Sequence, residues 1–440
     1  MTGRYKAYSE YKLSSNYALG YIPSHWDTSK VRYLSYCLDG KRIPLNGTER
    51  GEMQGLIPYW GANSVVDYID EYIFDEDLIL LGEDGAPFFD TTRNVAFFVQ
   101  GKVWPNNHVH VLRPEISKVN AKFLTYALNC VDYHLYITGS TRDKLNQAAM
   151  NDIALRICSL QEQQKIANFL DHETAKIDTL IDKQEKLIEL LKEKRQAVIS
   201  QAVTKGLNPD APMKNSGVEW LGEVPEHWTV SKLKWKAQTT SGGTPSTAKY
   251  EVYYEGGDIP WIRTTDLNNG KLFVTPVSIT AKALEDTACS ILPKDSLLLA
   301  MYGGAGSIGK HSLLMFEATI NQAVCGIYPS NSFEPEFLHY FYEFYRPFWM
   351  INAAGTRKDP NIGQDHIKEG KVALPPKEEQ RAIVAYVNKT LDLLNTLNDK
   401  ATEAIELAKE RKAALISAAV TGQIDVRDWK PAESNLVEVD

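Results

Sequence analysis

The chain is poor in cysteine, carries no excess of positive charge and lacks any long apolar run. A bilayer crossing needs about 18 consecutive apolar residues, and no such run occurs, so no membrane partner is expected. The five cysteines, Cys37, Cys130, Cys158, Cys289 and Cys325, are odd in number, widely spaced and never in Cys-x-x-Cys form. That argues against a disulfide framework or a structural zinc and for a reducing cytoplasm. A net charge of −8 argues against a protein coated in nucleic acid but leaves room for a local basic surface. The first residues, Met-Thr-Gly-Arg-Tyr-Lys, lack the apolar stretch of a signal peptide. What the chain does have is length and apolar content: 440 residues, 43% apolar, enough for two or three domains.

It also has a repeat. Ile22–Trp26 reads Ile-Pro-Ser-His-Trp and Val224–Trp228 reads Val-Pro-Glu-His-Trp. At this offset of 202, Lys12, Ser14, Leu19, Gly20, Pro23, His25, Trp26, Ser29 and Lys30 match Lys214, Ser216, Leu221, Gly222, Pro225, His227, Trp228, Ser231 and Lys232. A second ungapped repeat sets Gln161–Thr204 on Glu378–Thr421 at an offset of 217, with Glu162-Gln163 on Glu379-Gln380. The order is entry segment, variable block, helix and linker, then the same again. It is a tandem duplication.

The second repeat is helical. Leu170, Thr174, Ile177, Ile181, Gln184, Ile188, Leu191, Arg195, Val198 and Ala202 fall at 3-4 spacing. Val387, Leu391, Leu394, Asn398, Ala401, Ile405, Ala408, Lys412, Leu415 and Ala419 repeat the seam. At about 1.5 Å per residue each helix is roughly 60 Å long, too long for one small domain, so the two are expected to pair with each other. Gly206 and Gly422 end them as C-terminal caps, and Leu207–Gly217, with two prolines, is a linker. The blocks between carry short apolar-aromatic runs broken by Gly and Asp, as strands do, with helical pieces near Ala121–Asn129 and Pro335–Asn352. The expected fold is α+β. Helices that stay alike while the blocks drift suggest one frame carrying two different readers.

Catalytic constellations are missing. Gly304-x-Gly306-x-x-Gly309-Lys310 imitates a dinucleotide or phosphate loop, but the following residues read as strand and His311 stands where Mg²⁺ coordination wants Ser or Thr. No Asn/Asp-Pro-Pro-Tyr, nucleophile elbow or His-x-x-x-His pair occurs. His25 and His227, being duplicated, tempt as bases, yet Pro-x-His-Trp before a strand reads as a staple at chain entry. Asp75, Asp77, Glu83 and Asp84 have no Lys at nuclease spacing and read as solvated turn residues. No catalytic or metal-binding residue is therefore expected.

What remains is recognition. In the first block Lys41, Arg42, Asn46, Arg50, Asn63, Arg93 and Asn94 are candidate DNA contacts. In the second they are Thr244, Ser246, Thr247, Lys249, Arg263, Thr264, Asn268, Asn269, Lys310, Arg357 and Lys358. Arg and Asn reach base edges bidentately, while Lys, Ser and Thr mostly hold phosphates.

Over essentially its whole length the chain resembles the specificity subunits of type I restriction-modification systems. The resemblance rests on "NSGVEWLGEVPEHWTVSKL", "SGGTPSTAKYEVYYEGGDIPWIRTTDL", "IPYWGANSVVDYIDEYIFDEDLILLGEDGAPFF", "LPPKEEQRAI", "SLQEQQKIANFLDHETAKIDTLI" and "KLIELLKEKRQAVISQAVTKGL". The first copy departs where "CSLQEQ" replaces "LPPKEEQ". The resemblance implies two strand-rich target-recognition domains, each reading half of a bipartite, asymmetric DNA site. Two conserved helices would form an antiparallel coiled coil about a pseudo-twofold axis, setting half-site spacing. The implied division is 1–160, first recognition domain; 161–206, first helix; 207–217, linker; 218–376, second recognition domain; 377–422, second helix; 423–440, tail. It also implies a chain that is not itself an enzyme and holds no cofactor. Its partners would be double-stranded DNA, two methyltransferase subunits and two motor-nuclease subunits, which carry S-adenosylmethionine, ATP and Mg²⁺. A self-contained nuclease or methyltransferase fusion, and a coiled-coil scaffold without DNA, are the rival readings.

Overall fold

The computed structural model describes residues 5–137, 143–302, 306–353 and 362–431. The chain divides into two compact units, one of Met1–Lys186 with Ala401–Asp440, the other of Leu187–Lys400. Two long helices, α1 (Leu160–Lys205) and α2 (Lys377–Val420), are shared between them.

In the first unit, β1 (Tyr11–Leu13) and β2 (Tyr21–Pro23) form an antiparallel hairpin turned at Gly20, whose φ of +63° suits glycine. Next, β3 (Asp27–Lys30) pairs antiparallel with β4 (Ala154–Ile157), the last strand before α1. The chain thus enters and leaves its variable block at one ladder. Between lie two four-stranded sheets. One runs Val65–Ile69, Gln54–Trp60, Lys102–Pro105, Phe74–Asp75, with a parallel pair at its centre; the other is all antiparallel, in the order Ser35–Cys37, Val109–Pro114, Leu78–Gly82, Ala96–Val99. Leu78–Leu81 are fully buried, so this strand has no solvent face and reads as a continuous apolar run rather than an alternation.

The second unit repeats the frame. The strands β5 (Met213–Asn215) and β6 (Glu223–Pro225) form the hairpin, while β7 (Thr229–Lys232) pairs with β8 (Lys371–Leu374), the last strand before α2. Its variable block differs: a five-stranded sheet ordered Thr239–Ser241, Val324–Ile327, Leu297–Ala300, His311–Leu314, Lys271–Leu272, and a three-stranded one. The helical pieces fall where the sequence puts them, at Ala121–Leu128 and Pro335–Ala353.

The long helices pair antiparallel. In the first unit Ile166, Leu170 and Ile177 of α1 share a core with Ala408, Leu415 and Ala419 of α2, and Lys412 Nζ donates to the Asp178 carboxylate at 2.6 Å. In the second unit Ile199, Ala202 and Val203, from the end of α1, share a core with Ile383, Val387 and Leu391, from the start of α2. Every one of the seam positions read from the sequence is buried or half-buried. Gly206 and Gly422, with φ of +75° and +76°, end the helices in the left-handed conformation that glycine tolerates best. Among the described residues, no helix is long and apolar enough to cross a membrane.

Candidate nucleic-acid interface

The Pro-x-His-Trp motif locks each unit's frame. His25 Nε2–H donates to Glu162 Oε2 at 2.9 Å and Trp26 Nε1–H to Glu162 Oε1 at 3.1 Å. The Tyr8 hydroxyl adds a third bond to Oε1 at 2.7 Å. Glu162 lies in the first turn of α1, where a carboxylate also meets the positive end of the helix dipole. On its other side Trp26 meets the end of α2: a Cβ on Gly422 would lie 3.3 Å from Trp26 Cζ3 and 2.5 Å from Pro23 Cδ. The second unit copies this arrangement. His227 Nε2 lies 2.7 Å from Glu379 Oε2, Trp228 Nε1 donates to Oε1 at 3.1 Å, and Gly206 packs on Trp228. Both indoles are almost fully buried. The histidines are therefore not free bases; each is tied to the first turn of a long helix.

Gln163 and Gln380, the neighbours of those glutamates, are buried and do matching work. Gln163 accepts from Asn120 N–H at 2.8 Å and donates to the Cys158 carbonyl at 2.8 Å. Gln380 accepts from Glu334 N–H at 2.8 Å and donates to the Pro375 carbonyl at 2.9 Å. Each fixes the entry to its block's helix, Ala121–Leu128 or Pro335–Ala353, against its long helix.

The DNA candidates divide by environment. In the first block Arg42 is committed inward, to Glu83 at 2.6 Å and the Val109 carbonyl at 2.8 Å. Arg50 pairs with Asp67 at 3.2 Å, donates to the Leu45 carbonyl at 2.7 Å and lies over the Tyr59 ring. Asn46 caps the short helix Gly47–Glu52 in a capping box with Glu49. Lys41, Arg93 and Asn94 are exposed and Asn63 half-buried. Asn94 lines a cleft of about 300 Å³ with Trp60, Lys122, Asp178 and Lys412, so it faces the long helices.

In the second block Ser246, Thr247 and Lys249 share one exposed turn, with Lys249 over the Tyr253 ring. Thr244 is hydrogen-bonded to Gln322. Arg263 forks onto Asp266 at 3.1 and 3.3 Å, and Thr264 is buried. Asn268 Oδ1 accepts from Gly270 N–H at 2.9 Å and from the Ser312 hydroxyl at 3.0 Å. Asn269 holds a φ of +59° and accepts from His311 N–H at 3.3 Å. Lys310 is half-buried. Arg357, Lys358 and the start of the glycine run lie outside the described residues. The run leads into the strand His311–Leu314, not a helix, so no phosphate-cradling helix N-terminus follows it.

The acidic group of the first block corrects one expectation. Glu83 and Asp84 are not solvated turn residues. Glu83 bonds Arg42 and lies 3.0 Å from Lys144, while Asp84 lies 2.5 Å from His108. Burial raises the pKa of Asp39 and of Glu83, but their partners outweigh it: the His110 contact and Val111 N–H for Asp39, Arg42 and Lys144 for Glu83. Both carboxyls end below the usual range. The five cysteines are free thiols, and burial pushes Cys37 up to about 11 and Cys130 and Cys325 up to about 12, the opposite of an activated nucleophile.

One repeated surface feature escaped the sequence reading. Tyr33 and Trp235 are 60% and 68% exposed, and they occupy equivalent positions just past the two staples. Arg32 lies 5.9 Å from the Tyr33 ring, and Lys232 5.6 Å from the Trp235 ring. In each unit one acid pins two cations: Asp152 holds Lys30 and Arg32, and Glu369 holds Lys232 and Lys234. The sequence signal was the Lys30–Lys232 identity at the offset of 202, with similarity alone at Arg32 and Lys234 and at Tyr33 and Trp235.

The pattern that defines the type I restriction modification DNA specificity domain matches residues 23–190 and again 225–407. The MjaVIII type I restriction enzyme specificity subunit of Methanocaldococcus jannaschii is 26% identical over 427 residues, covering 92% of this chain and 95% of that protein. The EcoBI specificity subunit of Escherichia coli is 24% identical over 415 residues, covering 90% and 81%. A solved structure from work on complex assembly and conformational transition of the type I R-M system superposes with a TM-score of 0.68 at 13% identity, over 92% of this chain and 99% of that one.

Proposed function

We propose, from the premise that the chain belongs to the type I restriction-modification DNA specificity family, that each unit reads one half of a bipartite DNA site. The observation that carries this is the duplicated staple: one frame, His25-Trp26-Glu162 and His227-Trp228-Glu379, holds two blocks whose sheets differ. A shared frame gives both readers the same purchase on the long helices. Different blocks make the half-sites different in sequence. The coiled coil then acts as the spacer and as the dock for methyltransferase and motor-nuclease subunits, two of each, and the chain supplies no catalytic group of its own. S-adenosylmethionine, ATP and Mg²⁺ belong to those partners.

Incubating the pure chain with DNA, S-adenosylmethionine, ATP and Mg²⁺ is expected to leave the DNA unchanged. Methylation or cleavage without partners overturns the reading. With the methyltransferase added, DNA retention must depend on sequence; retention indifferent to sequence makes the chain a scaffold.

The environments sort the contacts. Lys41, Lys249 and Lys310 are assigned to phosphates by their chemistry, so replacing any one with Ala is expected to weaken binding of all sequences and lower the salt slope by about 1. Replacing Arg42 or Arg50 is expected to cost stability instead, since each removes the partner of a half-buried carboxylate. A salt titration of the complex on its cognate duplex separates the two groups. The surface common to both units, Tyr33 and Trp235 with their cations, fits a partner that binds twice. Trp235→Ser and Tyr33→Ser together are expected to weaken methyltransferase assembly at least tenfold while chain stability holds, measured by analytical ultracentrifugation.

A further inference from the structure

Three side chains, each with one buried polar atom that lacks a partner, converge in the second unit. His311 opens the strand His311–Leu314, and His339 and Glu343 stand four residues apart on the helix Pro335–Ala353, hence on one face of it. One ligand atom from each lies within 4.8 Å of the other two, and the imidazole centroids are 4.8 Å apart. His311 is fully buried and His339 is 5% exposed. His311 Nε2, His339 Nδ1 and Glu343 Oε2 are all buried without a hydrogen-bond partner. Protein interiors satisfy such atoms, so three of them in one place call for a common guest.

The surroundings prepare the donors. His311 Nδ1 faces the Gly309 carbonyl at 3.4 Å, which leaves the Nε2 lone pair free. Arg195 takes Glu343 Oε1 at 2.7 Å and orients Oε2.

We propose that His311, His339 and Glu343 bind one divalent transition-metal ion, zinc foremost, with water as the fourth ligand. Two imidazoles and one carboxylate are a zinc donor set and not one for Mg²⁺ or Ca²⁺. Bonds of about 2.0–2.2 Å set donor atoms roughly 3.4 Å apart, so the trio closes by about 1 Å on binding. The carboxylate between the ion and Arg195 screens the two positive charges. The ion's role is structural: it pins the helix to the strand that follows the glycine run. That junction is already tight, since a Cβ on Gly309 would come within 2.4 Å of Trp349. The trio Asp39, Glu83 and His110 in the first unit offers no second site, because Arg42, Lys144, Val111 N–H and the Leu145 carbonyl already occupy its polar atoms.

The full-length chain, prepared without a metal-binding tag and titrated with Zn²⁺, is expected to bind one equivalent at micromolar concentration and to melt at a higher temperature with it. His339→Gln and Glu343→Gln are each expected to lose the ion and the thermal shift. No binding to the wild-type chain, or binding that both folded variants retain, overturns the site. Should the variants unfold, the Co²⁺ complex of the wild-type chain decides. Tetrahedral d–d bands without thiolate charge transfer support the trio; thiolate charge transfer places the ion on a cysteine and overturns it. Neither result bears on DNA reading, which is tested separately.

Discussion

Deleting Lys183–Lys186 from α1 together with Ala404–Leu407 from α2 is expected to shorten the spacer of the methylated DNA motif by about two base pairs. The Lys412–Asp178 ion pair marks the register of the helices. In an antiparallel pair, counting forward from Asp178 on one helix matches counting back from Lys412 on the other, so these two tetrapeptides face each other. Four residues remove about 6 Å of helix and turn it by about 40° beyond one full turn, little enough for the seam to close again. Six ångströms correspond to about two steps of B-form DNA at about 3.4 Å each. Deleting only one tetrapeptide slips the seam and is expected to disable assembly. Sequencing the methylome of cells carrying the altered complex reads the outcome. An assembled complex that still methylates the original spacing ends the idea of a helical ruler.

Trp26→Ala and Trp228→Ala are each expected to destabilise the chain by about 3–5 kcal/mol, the usual cost of emptying a buried aromatic site. Both indoles are 1% exposed or less, and both rest between a glutamate on one long helix and a glycine ending the other. Against a typical domain stability of about 5–15 kcal/mol the loss is large. Trp→Phe keeps most of the apolar surface but leaves one glutamate bond unmade, so about 1–2 kcal/mol is expected. Guanidinium denaturation measures the loss, and the methylated motif should not change. A variant with altered motif and wild-type stability would make the indole a reader instead of a staple.

Much of the architecture was legible because its signals are local or periodic. The two long helices follow from 3-4 spacing repeated from Leu170 to Ala202 and from Val387 to Ala419, which few other structures explain. Gly206 and Gly422 mark the helix ends because a left-handed cap favours glycine. The duplication follows from identities at fixed offsets, and some of those same residues carry the family likeness, together with stretches of the two blocks. The surroundings of the candidate DNA contacts were less legible. Arg42, Arg50, Arg263 and Asn268 have the chemistry of base contacts, yet each is engaged by neighbours that residue type alone does not reveal.

The sequence by itself determined that this protein is one frame written twice, with paired helices and two unlike blocks, because periodicity and repetition are properties of the chain's order. Tertiary structure alone decided which partners meet across long separations. It brought Trp26 to Glu162, 136 residues away, and Trp228 to Glu379, 151 away. It turned Glu83 from a turn residue into an ion-pair partner and set His311 beside His339 and Glu343. Such contacts depend on how sheets and helices pack, and packing leaves no period in the sequence to read.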